Sequence, residues 1–569
     1  MQRARRLYLY FVSAVSLIAL GVGLARLLMN LFERISDALR DTSIVAGDTE
    51  AFRREASLVI AIIIVALPIW LLHWWLAERA TAGDDERASA ERAAPERALY
   101  LSAVLFVSFF LLLTSTTTFI TALIHELAND RSWGTPEALP DNLALMIVAG
   151  GIWLYHGIIR RRDERLGAGL AESAVVPRLY LYVATVIAGV VMLSGLSTLL
   201  GVIAQAVFDE RPVVYGTDWW LIGLSEGIAS ATAGIALWSL HMAASNALVA
   251  RTDALGERER RSAMRRLALY ALTFIGLVVS LVFVASALEQ VLRQLFGASH
   301  GPEGIAFRFF EPLLKALPFA AAWYVFGRWV IAEADRGGEV ADQATVRRIY
   351  SYGIALIGLA AGAVGLAGTL SAAFHRLAGE ARPIIGAVDP WKNDLSRMLP
   401  IALLGTAAWL WQSYRFGRWI EADPEVEQTD IVRRVYVYAS LAGSVVAVLV
   451  SLALIIYQIL TAILNVGTES LGRELSTPGA VFLVAAAVLI YHALLLRSDL
   501  AARPETADES QRLIFEVTVP PGTNPDEVAG QVAGALPADY RIRLLDRAQR
   551  RAEPERSLSQ GEERVGHAS

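Results

Sequence analysis

Windows of about 19 or more nearly uncharged residues recur along this chain as far as Leu500. A hydrocarbon layer roughly 30 Å thick takes about 20 helical residues to cross, at about 1.5 Å each. No other feature narrows the fold as far, and soluble domains of this length do not read this way. The chain is 55% hydrophobic, which places it in the membrane class as well. The opening MQRARR and the apolar run Leu7 to Leu31 imitate a secretory signal. That run is too long for a signal core and has no A-x-A-like cleavage site at its end, so it reads as the first membrane helix.

Self-similarity gives the organisation. Arginine followed by tyrosines opens one class of helix: RRLYLY at Arg5, ERALYLS at Glu96, PRLYLY at Pro177, RRLALY at Arg265, RRIYSY at Arg347 and RRVYVY at Arg433. Aligning Tyr8, Tyr100, Tyr180, Ala268, Tyr350 and Tyr436 gives six units of about 86 residues. Each opening helix is followed by a polar loop and a second apolar helix. That helix ends in Trp-x-x-His at Trp70 and His73, Trp153 and His156, and Trp238 and His241. The sixth unit keeps His492, while the fourth and fifth have Trp323 with Phe326 and Trp409 with Gln412.

The expected spans are 7–31 and 57–77, 98–124 and 141–160, 178–207 and 219–249, 266–296 and 311–332, 347–376 and 396–420, 433–464 and 477–497. The expected fold is an all-α membrane bundle of about twelve transmembrane helices, built as six parallel two-helix repeats over 1–90, 91–170, 171–258, 259–340, 341–426 and 427–500. Two spans return the chain to its starting side, so all six copies share one orientation and an inverted-repeat transporter is disfavoured. Lysine and arginine are nearly twice as numerous at the N-terminus and between units as inside them. The positive-inside rule therefore places both termini in the cytoplasm.

Small residues recur at two positions of the opening helices, seven residues apart: Ser16 and Gly23, Ser108 and Ser115, Ala188 and Gly195, Gly276, Gly358 and Gly365, Ser444 and Ser451. Only Phe283 breaks the pattern. Two helical turns separate the members of each pair, so they form a seam on one face that lets another backbone approach. At the C-terminus, LIFEVTV from Leu513, a helical stretch from Pro525 and YRIRLL from Tyr540 read as a small cytoplasmic α+β segment over 501–549. So short a piece buries little core alone, so docking, a protein partner or self-association is expected of it. Residues 550–569 read as a disordered tail.

With these signatures the chain resembles, over roughly residues 1–500, an uncharacterised family of bacterial membrane proteins built from this two-helix domain of unknown function. The resemblance implies the repeat architecture and a bacterial cytoplasmic membrane, and it implies no activity. Units four and five depart from the pattern at the histidine, and unit four also lacks the first tyrosine.

Candidate chemistry is sparse. There is no cysteine, which removes disulfides, thiolate metal sites and thiol catalysis. The only lysines are Lys315 and Lys392, neither follows a glycine, and the phosphate-cradling nucleotide loop is absent. No dense basic stretch suggests nucleic acid. His73, His156, His241 and His492 invite a metal or haem reading, but each lies near a helix end beside Trp70, Trp153, Trp238 or arginine, where amphipathic rings anchor at headgroups. No metal or cofactor is expected. Gly223 to Gly227 matches G-x-S-x-G, yet lies inside a helical run where a nucleophile elbow cannot form. Glu226 is placed at the outer interface. His125-Glu126 starts a zincin motif that Asn129 breaks. The hydroxyls of Thr114 to Thr118 either bond their own helix or line a polar path.

The arginines and tyrosines at the helix starts are candidate contacts for anionic lipid headgroups: Arg6, Tyr8, Arg97, Tyr100, Arg178, Tyr180, Arg266, Arg348, Tyr350, Arg434 and Tyr436. The functional expectation is a structural or lipid-organising membrane protein without enzymatic activity, its partners being membrane lipids. The alternative is a channel or carrier with a path through a pseudo-sixfold helix array.

Overall fold

The computed structural model describes residues 2–39, 49–130, 138–208, 219–298, 304–379, 389–464, 466 and 470–501, together with 524, 528, 531 and 532. The chain divides into Met1–Arg503 and Pro504–Ser569, and the first unit is the subject below. The strands and helix expected over 501–549, and the tail after them, lie outside the described residues except for those isolated positions.

Antiparallel helix pairs build the first unit. Helices α1 (Gln2–Leu39) and α2 (Thr49–Ala80) form the first hairpin, and the short α3 (Glu86–Arg92) leads to α4 (Pro95–Leu127) and α5 (Ala138–Arg165). The third hairpin is α6 (Val175–Phe208) and α7 (Trp219–Val249), and α8 (Ala254–Arg260) leads to α9 (Ala263–Leu295) and α10 (Ile305–Gly337). The fifth is α11 (Ala341–Leu377) and α12 (Pro390–Ala422), and α13 (Pro424–Thr429) leads to α14 (Ile431–Ile463) and α15 (Leu471–Ala501).

The three short helices start on Asp85, Asp253 and Asp423, whose carboxylates accept from the amides of Ala88, Gly256 and Val426 at 3.0, 3.2 and 3.3 Å. Each cap satisfies an amide that has no intrahelical partner. Outside the apolar runs, Arg251 also hydrogen-bonds Asp253 and holds that carboxyl at about 2.

Ten of the long helices are long and apolar enough to cross a membrane, so the chain is a multi-pass membrane protein. The remaining two, α10 and α12, are no shorter. Arg308, Glu311 and Lys315 sit in the first half of α10, and Lys392, Asp394 and Arg397 in the first half of α12, which shortens their uncharged runs.

Successive opening helices α1, α4, α6, α9, α11 and α14 pack side by side in one row. From α5 onward, each closing helix seats against its own opener and the opener before it, giving the pairs α1 with α5, α4 with α7, α6 with α10, α9 with α12 and α11 with α15. The sixth hairpin packs on the fifth and on no part of the first to a comparable extent. The described helices therefore form an open array, a membrane counterpart of a solenoid in which each repeat contacts its neighbours.

Small residues on the openers set the closeness of each hairpin. A Cβ added at Gly358 would lie 2.9 Å from the Trp409 nitrogen and 3.0 Å from the Gly405 oxygen, both α12 backbone. At Gly276 the nearest atoms are the Phe319 oxygen at 2.6 Å and the Trp323 nitrogen at 2.7 Å, on α10. Gly195 meets Ala231 of α7 and Gly365 meets Ala402 of α12 in the same way, while Gly23 faces the Ile63 side chain. Ser16, Ser108, Ser115, Ala188, Ser444 and Ser451 are buried. In lipid, such backbone proximity replaces the hydrophobic drive that packs helices in water.

Substituting Gly358→Leu or Ser444→Leu should therefore lower the melting temperature of the detergent-solubilised protein, each overpacked site costing about 1–3 kcal/mol. Leu356→Phe, at a more exposed α11 position, should change it much less. Equal melting temperatures for the three would mean the seam does not hold the hairpins.

Candidate functional site

An opener begins, and its closer ends, at the same end of a hairpin, so the Arg-Tyr and Trp-x-x-His signatures meet. The tyrosine hydroxyl reaches histidine Nε2 within one hairpin four times: Tyr8 with His73 at 3.2 Å, Tyr100 with His156 at 3.4 Å, Tyr180 with His241 at 3.0 Å and Tyr436 with His492 at 3.1 Å. In each ring Nδ1 lies 2.8 or 2.9 Å from the carbonyl four residues earlier, at Ile69, Ile152, Leu237 or Val488.

A carbonyl only accepts, so the proton belongs on Nδ1 and neutral Nε2 accepts from the tyrosine. The tyrosine oxygen can then accept in turn, and the indole of the preceding hairpin donates to it. Trp153 Nε1 bonds Tyr180 at 2.7 Å and Trp409 Nε1 bonds Tyr436 at 3.0 Å. The result is a directional line from indole to phenol to imidazole to carbonyl that stitches hairpin to hairpin with no net charge.

Hairpin four shows what happens when the line is interrupted. Ala268 replaces the tyrosine and Phe326 the histidine, so both polar partners leave together. The buried Trp238 Nε1 of hairpin three is left without a partner and packs edge-on against Phe326 at 5.9 Å. In hairpin five Gln412 stands in for histidine, wholly buried, and neither of its side-chain polar atoms has a partner. The Trp70 indole stacks in parallel with Trp74, the ring centroids 6.4 Å apart.

Beside this layer the arginines form ion pairs that alternate between odd and even hairpins. In odd hairpins Arg6, Arg178 and Arg348 pair with Glu91, Glu259 and Glu427 of the short helices at 2.9, 3.0 and 2.6 Å. In even hairpins Arg97, Arg265 and Arg433 pair with Asp163, Glu333 and Asp499, seven residues past the Trp-x-x-His end position, at 2.6, 2.7 and 2.8 Å. Arg97 also reaches Glu78 at 2.6 Å and the Tyr10 hydroxyl at 3.3 Å. Tyr182 bonds Glu259 and Ser245. Buried cations are tolerated in this way, by close carboxylates that also satisfy their N–H groups.

These positions correct the expectation of headgroup contacts and interfacial anchors. Arg97 and Arg266 are 0% and 2% exposed, and Tyr100, Tyr180 and Tyr436 are each 5% exposed. Arg6, Arg97, Arg178 and Arg348 already hold carboxylates. Arg434 bonds the Thr429 carbonyl, Tyr350 packs on Tyr270 at 4.7 Å, and Tyr8 alone of the set is well exposed. His156, His241 and His492 are at most 2% exposed, so they are joints inside the protein rather than anchors at its rim; His73 is partly exposed. Among even-hairpin arginines, those two residues before the reference position were named for hairpins four and six, Arg266 and Arg434. The ones paired with the closing-helix acids stand one residue earlier, at Arg265 and Arg433, while Arg266 reaches Glu339 at 3.8 Å. The recurring acids Asp163, Glu333 and Asp499 were the signal that would have found them.

At the opposite end, polar joints again link neighbouring hairpins. His125 Nε2 lies 3.0 Å from Ser225 Oγ and His125 Nδ1 lies 2.9 Å from Asp130, an order of groups that resembles a hydrolytic triad. Ser225 is wholly buried within α7, where backbone amides serve the helix and offer no oxyanion hole. Thirteen residues before the tryptophan, each odd closer carries a serine bonded to its own helix: Ser57 to Arg53 O, Ser225 to Ile222 O and Ser396 to Lys392 O. The same end carries Arg293 with Asn393 at 3.1 Å and Ser371 with Thr477 at 2.8 Å. His125 and Ser225 therefore form one joint of a series.

Glu226 is exposed at this end of α7. Thr114, Ser115 and Thr117 bond carbonyls of their own helix. Among the described residues, no group of three or more acidic or histidine side chains is placed to hold a metal ion.

A family model described as "Domain of unknown function (DUF5671)" matches residues 6–151, 178–325 and 348–488. Each match spans two hairpins, which is the period the ion pairs follow. No curated protein and no solved structure matches the chain.

In a detergent melting series, Tyr436→Phe should cost about 1–3 kcal/mol, since it strands the buried Trp409 and His492 nitrogens, whereas Tyr8→Phe, at an exposed pair, should cost a few tenths. Arg433→Gln leaves Asp499 buried and unpaired and should cost about 3–5 kcal/mol, against under about 1 for Arg434→Gln. Neighbouring substitutions with equal effects would contradict this geometry.

Proposed function

The chain belongs to the DUF5671 family, carrying three copies of its domain in a multi-pass membrane protein, and we propose that it is a structural, lipid-organising scaffold without enzymatic activity of its own. All twelve long helices cross, α10 and α12 included, with their charges toward one rim. The arginine excess at the Arg-Tyr end supports an orientation with both termini in the cytoplasm, and the bacterial cytoplasmic membrane is what the resemblance of the sequence implies.

One observation carries the reading: the buried tyrosines, histidines and paired arginines gather at the helix ends, in joints within and between neighbouring hairpins. A carrier or channel places polar and ionisable groups along a path at mid-depth. Here the Trp-Tyr-His lines and Arg-carboxylate pairs gather at one end and the His125-Ser225 series at the other, with the small-residue seams between. Closers seat mainly on openers, and successive closers meet through single aromatic contacts such as Trp74 with Tyr155 and Trp323 with Trp411. The open array also gives no pseudo-sixfold enclosure for a solute path. Membrane lipids, anionic ones included, are the partners this surface suits.

Reconstituted in liposomes, the protein should release trapped ions and small neutral solutes no faster than protein-free vesicles do. A saturable, protein-dependent flux would replace the scaffold with the carrier.

Orientation is testable because no native cysteine interferes. Single cysteines at the exposed Asp84 and Glu257 should react with an impermeant maleimide only from the cytoplasmic side, and those at the exposed Asn129 and Val466 only from outside. Labelling of all four from one side would overturn the proposed crossing pattern.

A further inference from the structure

Between the second and third hairpins the chain passes from α5 to α6 over residues 166–174, turning at Gly167 with φ of 103°. Ser173 Oγ donates to the Ala93 carbonyl at 2.7 Å, and Arg258 Nη1 donates to the Ala171 carbonyl at 3.2 Å, which fixes this crossing. Beneath it lies a cavity whose polar wall is Arg92, Arg97, Arg160, Asp163, Glu164 and Arg178, and whose other wall is apolar, with leucines from α4, α6, α7 and α8.

The four guanidiniums are not equivalent. Arg97 is neutralised by Asp163 and Glu78, Arg178 by Glu259, and Arg160 by Glu164 through Nη1. Arg92 is 6% exposed and bonds only the Thr81 and Gly83 carbonyls, both at 2.8 Å through Nη1; no carboxylate of the described residues pairs with it. The Nε atoms of Arg92 and of Arg160, itself 8% exposed, are buried without a partner. A buried guanidinium without a counter-charge is unfavourable, and its planar donors match phosphate oxygens.

Internal repetition shows that folding alone does not require these groups. Four residues after His156, Phe326 and His492 stand Arg160, Val330 and Leu496, so the second and third domain copies fill the position with an aliphatic side chain. Next to Glu91, Glu259 and Glu427 stand Arg92, Arg260 and Gln428. Arg260 likewise donates to carbonyls at and just past the end of a closing helix, at Val249 and Arg251, but it pairs with Glu257, and no described carboxylate pairs with Arg92. Arginine at both of these positions occurs in the first copy alone.

We propose that this cavity, at the junction of the first and second domain copies, binds a phosphate-bearing anion through Arg92 and Arg160. A lipid headgroup and a free phosphate share that chemistry. The lipid source rests on the scaffold reading above and agrees with the apolar wall, where a glycerol backbone or acyl chain would lie.

The test uses the delipidated full-length protein in detergent. Phosphatidylglycerol and diacylglycerol are compared by native mass spectrometry, and inorganic phosphate by titration calorimetry. The variants are Arg92→Gln with Arg160→Val, which install the residues that other copies carry at these positions, and the single Arg160→Gln as a second, milder change. Wild type should retain one phosphatidylglycerol in preference to diacylglycerol, the double variant should bind it at least tenfold more weakly, and melting temperatures should stay close. Binding of inorganic phosphate that is lost in the same variants would assign the site to a soluble phosphate. Retention of phosphatidylglycerol by the variants at wild-type strength, or no binding of either phosphate compound by wild type, overturns the site. Vesicle flux, measured separately on the same variants, reports on the scaffold reading, so failure of one leaves the other standing.

Discussion

A tyrosine hydroxyl that accepts from one hairpin's indole and donates to its own hairpin's imidazole is the contact on which the rest of this array turns. In a layer with little water, a polar side chain finds a partner inside the protein or bears the full cost of desolvation. Trp153, Tyr180 and His241 meet that condition as one neutral line, and Trp409, Tyr436 and His492 repeat it. Because the indole comes from the preceding hairpin, the bond that satisfies a side chain also sets how neighbouring hairpins sit. Repeats therefore add to one another in a row, and nothing in this contact requires the row to close.

Charge is handled by a second rule with a longer period. Odd hairpins pair arginine with a glutamate on the short connecting helix, and even hairpins pair it with an acid on their own closing helix. The first arrangement needs the connector, so an odd hairpin's arginine is paired only once the short helix that leads into the next hairpin is in place. This physical dependence agrees with the family match, whose three segments each hold two hairpins. Copy-specific departures then stand out: the loss of tyrosine and histidine together at Ala268 and Phe326 keeps the interior apolar, while Arg160 adds a charge where Val330 and Leu496 have none.

Much of the fold was legible in one dimension. Apolar length gave the helices, the two signatures gave the hairpins, and the Ser and Gly spacing marked the face of α11 where Gly358 and Gly365 meet the α12 backbone. The site was legible by residue type and misread by environment. Arginine, tyrosine, tryptophan and histidine at a helix end fit a headgroup belt and a buried joint equally well, because the same amphipathic side chains serve both. Arg433 and Arg434 are adjacent in sequence, but a helix turns about 100° per residue, so one faces Asp499 and the other the Thr429 carbonyl.

What the sequence determined alone is what local physics can fix: the membrane-spanning helices of residues 1–500, their repeat and the hairpin pairing, since hydrocarbon thickness and backbone hydrogen bonding act on each segment separately. What only the tertiary structure decided is which groups at one end face each other: that Tyr180 and His241 are one joint, that Arg97 is held by Asp163 and Glu78, and that no carboxylate of the described residues pairs with Arg92. Those outcomes depend on how each helix is rotated about its axis against its neighbours. That rotation is set by many small contacts, several of them between segments about 60 to 100 residues apart, and no single stretch of sequence contains it.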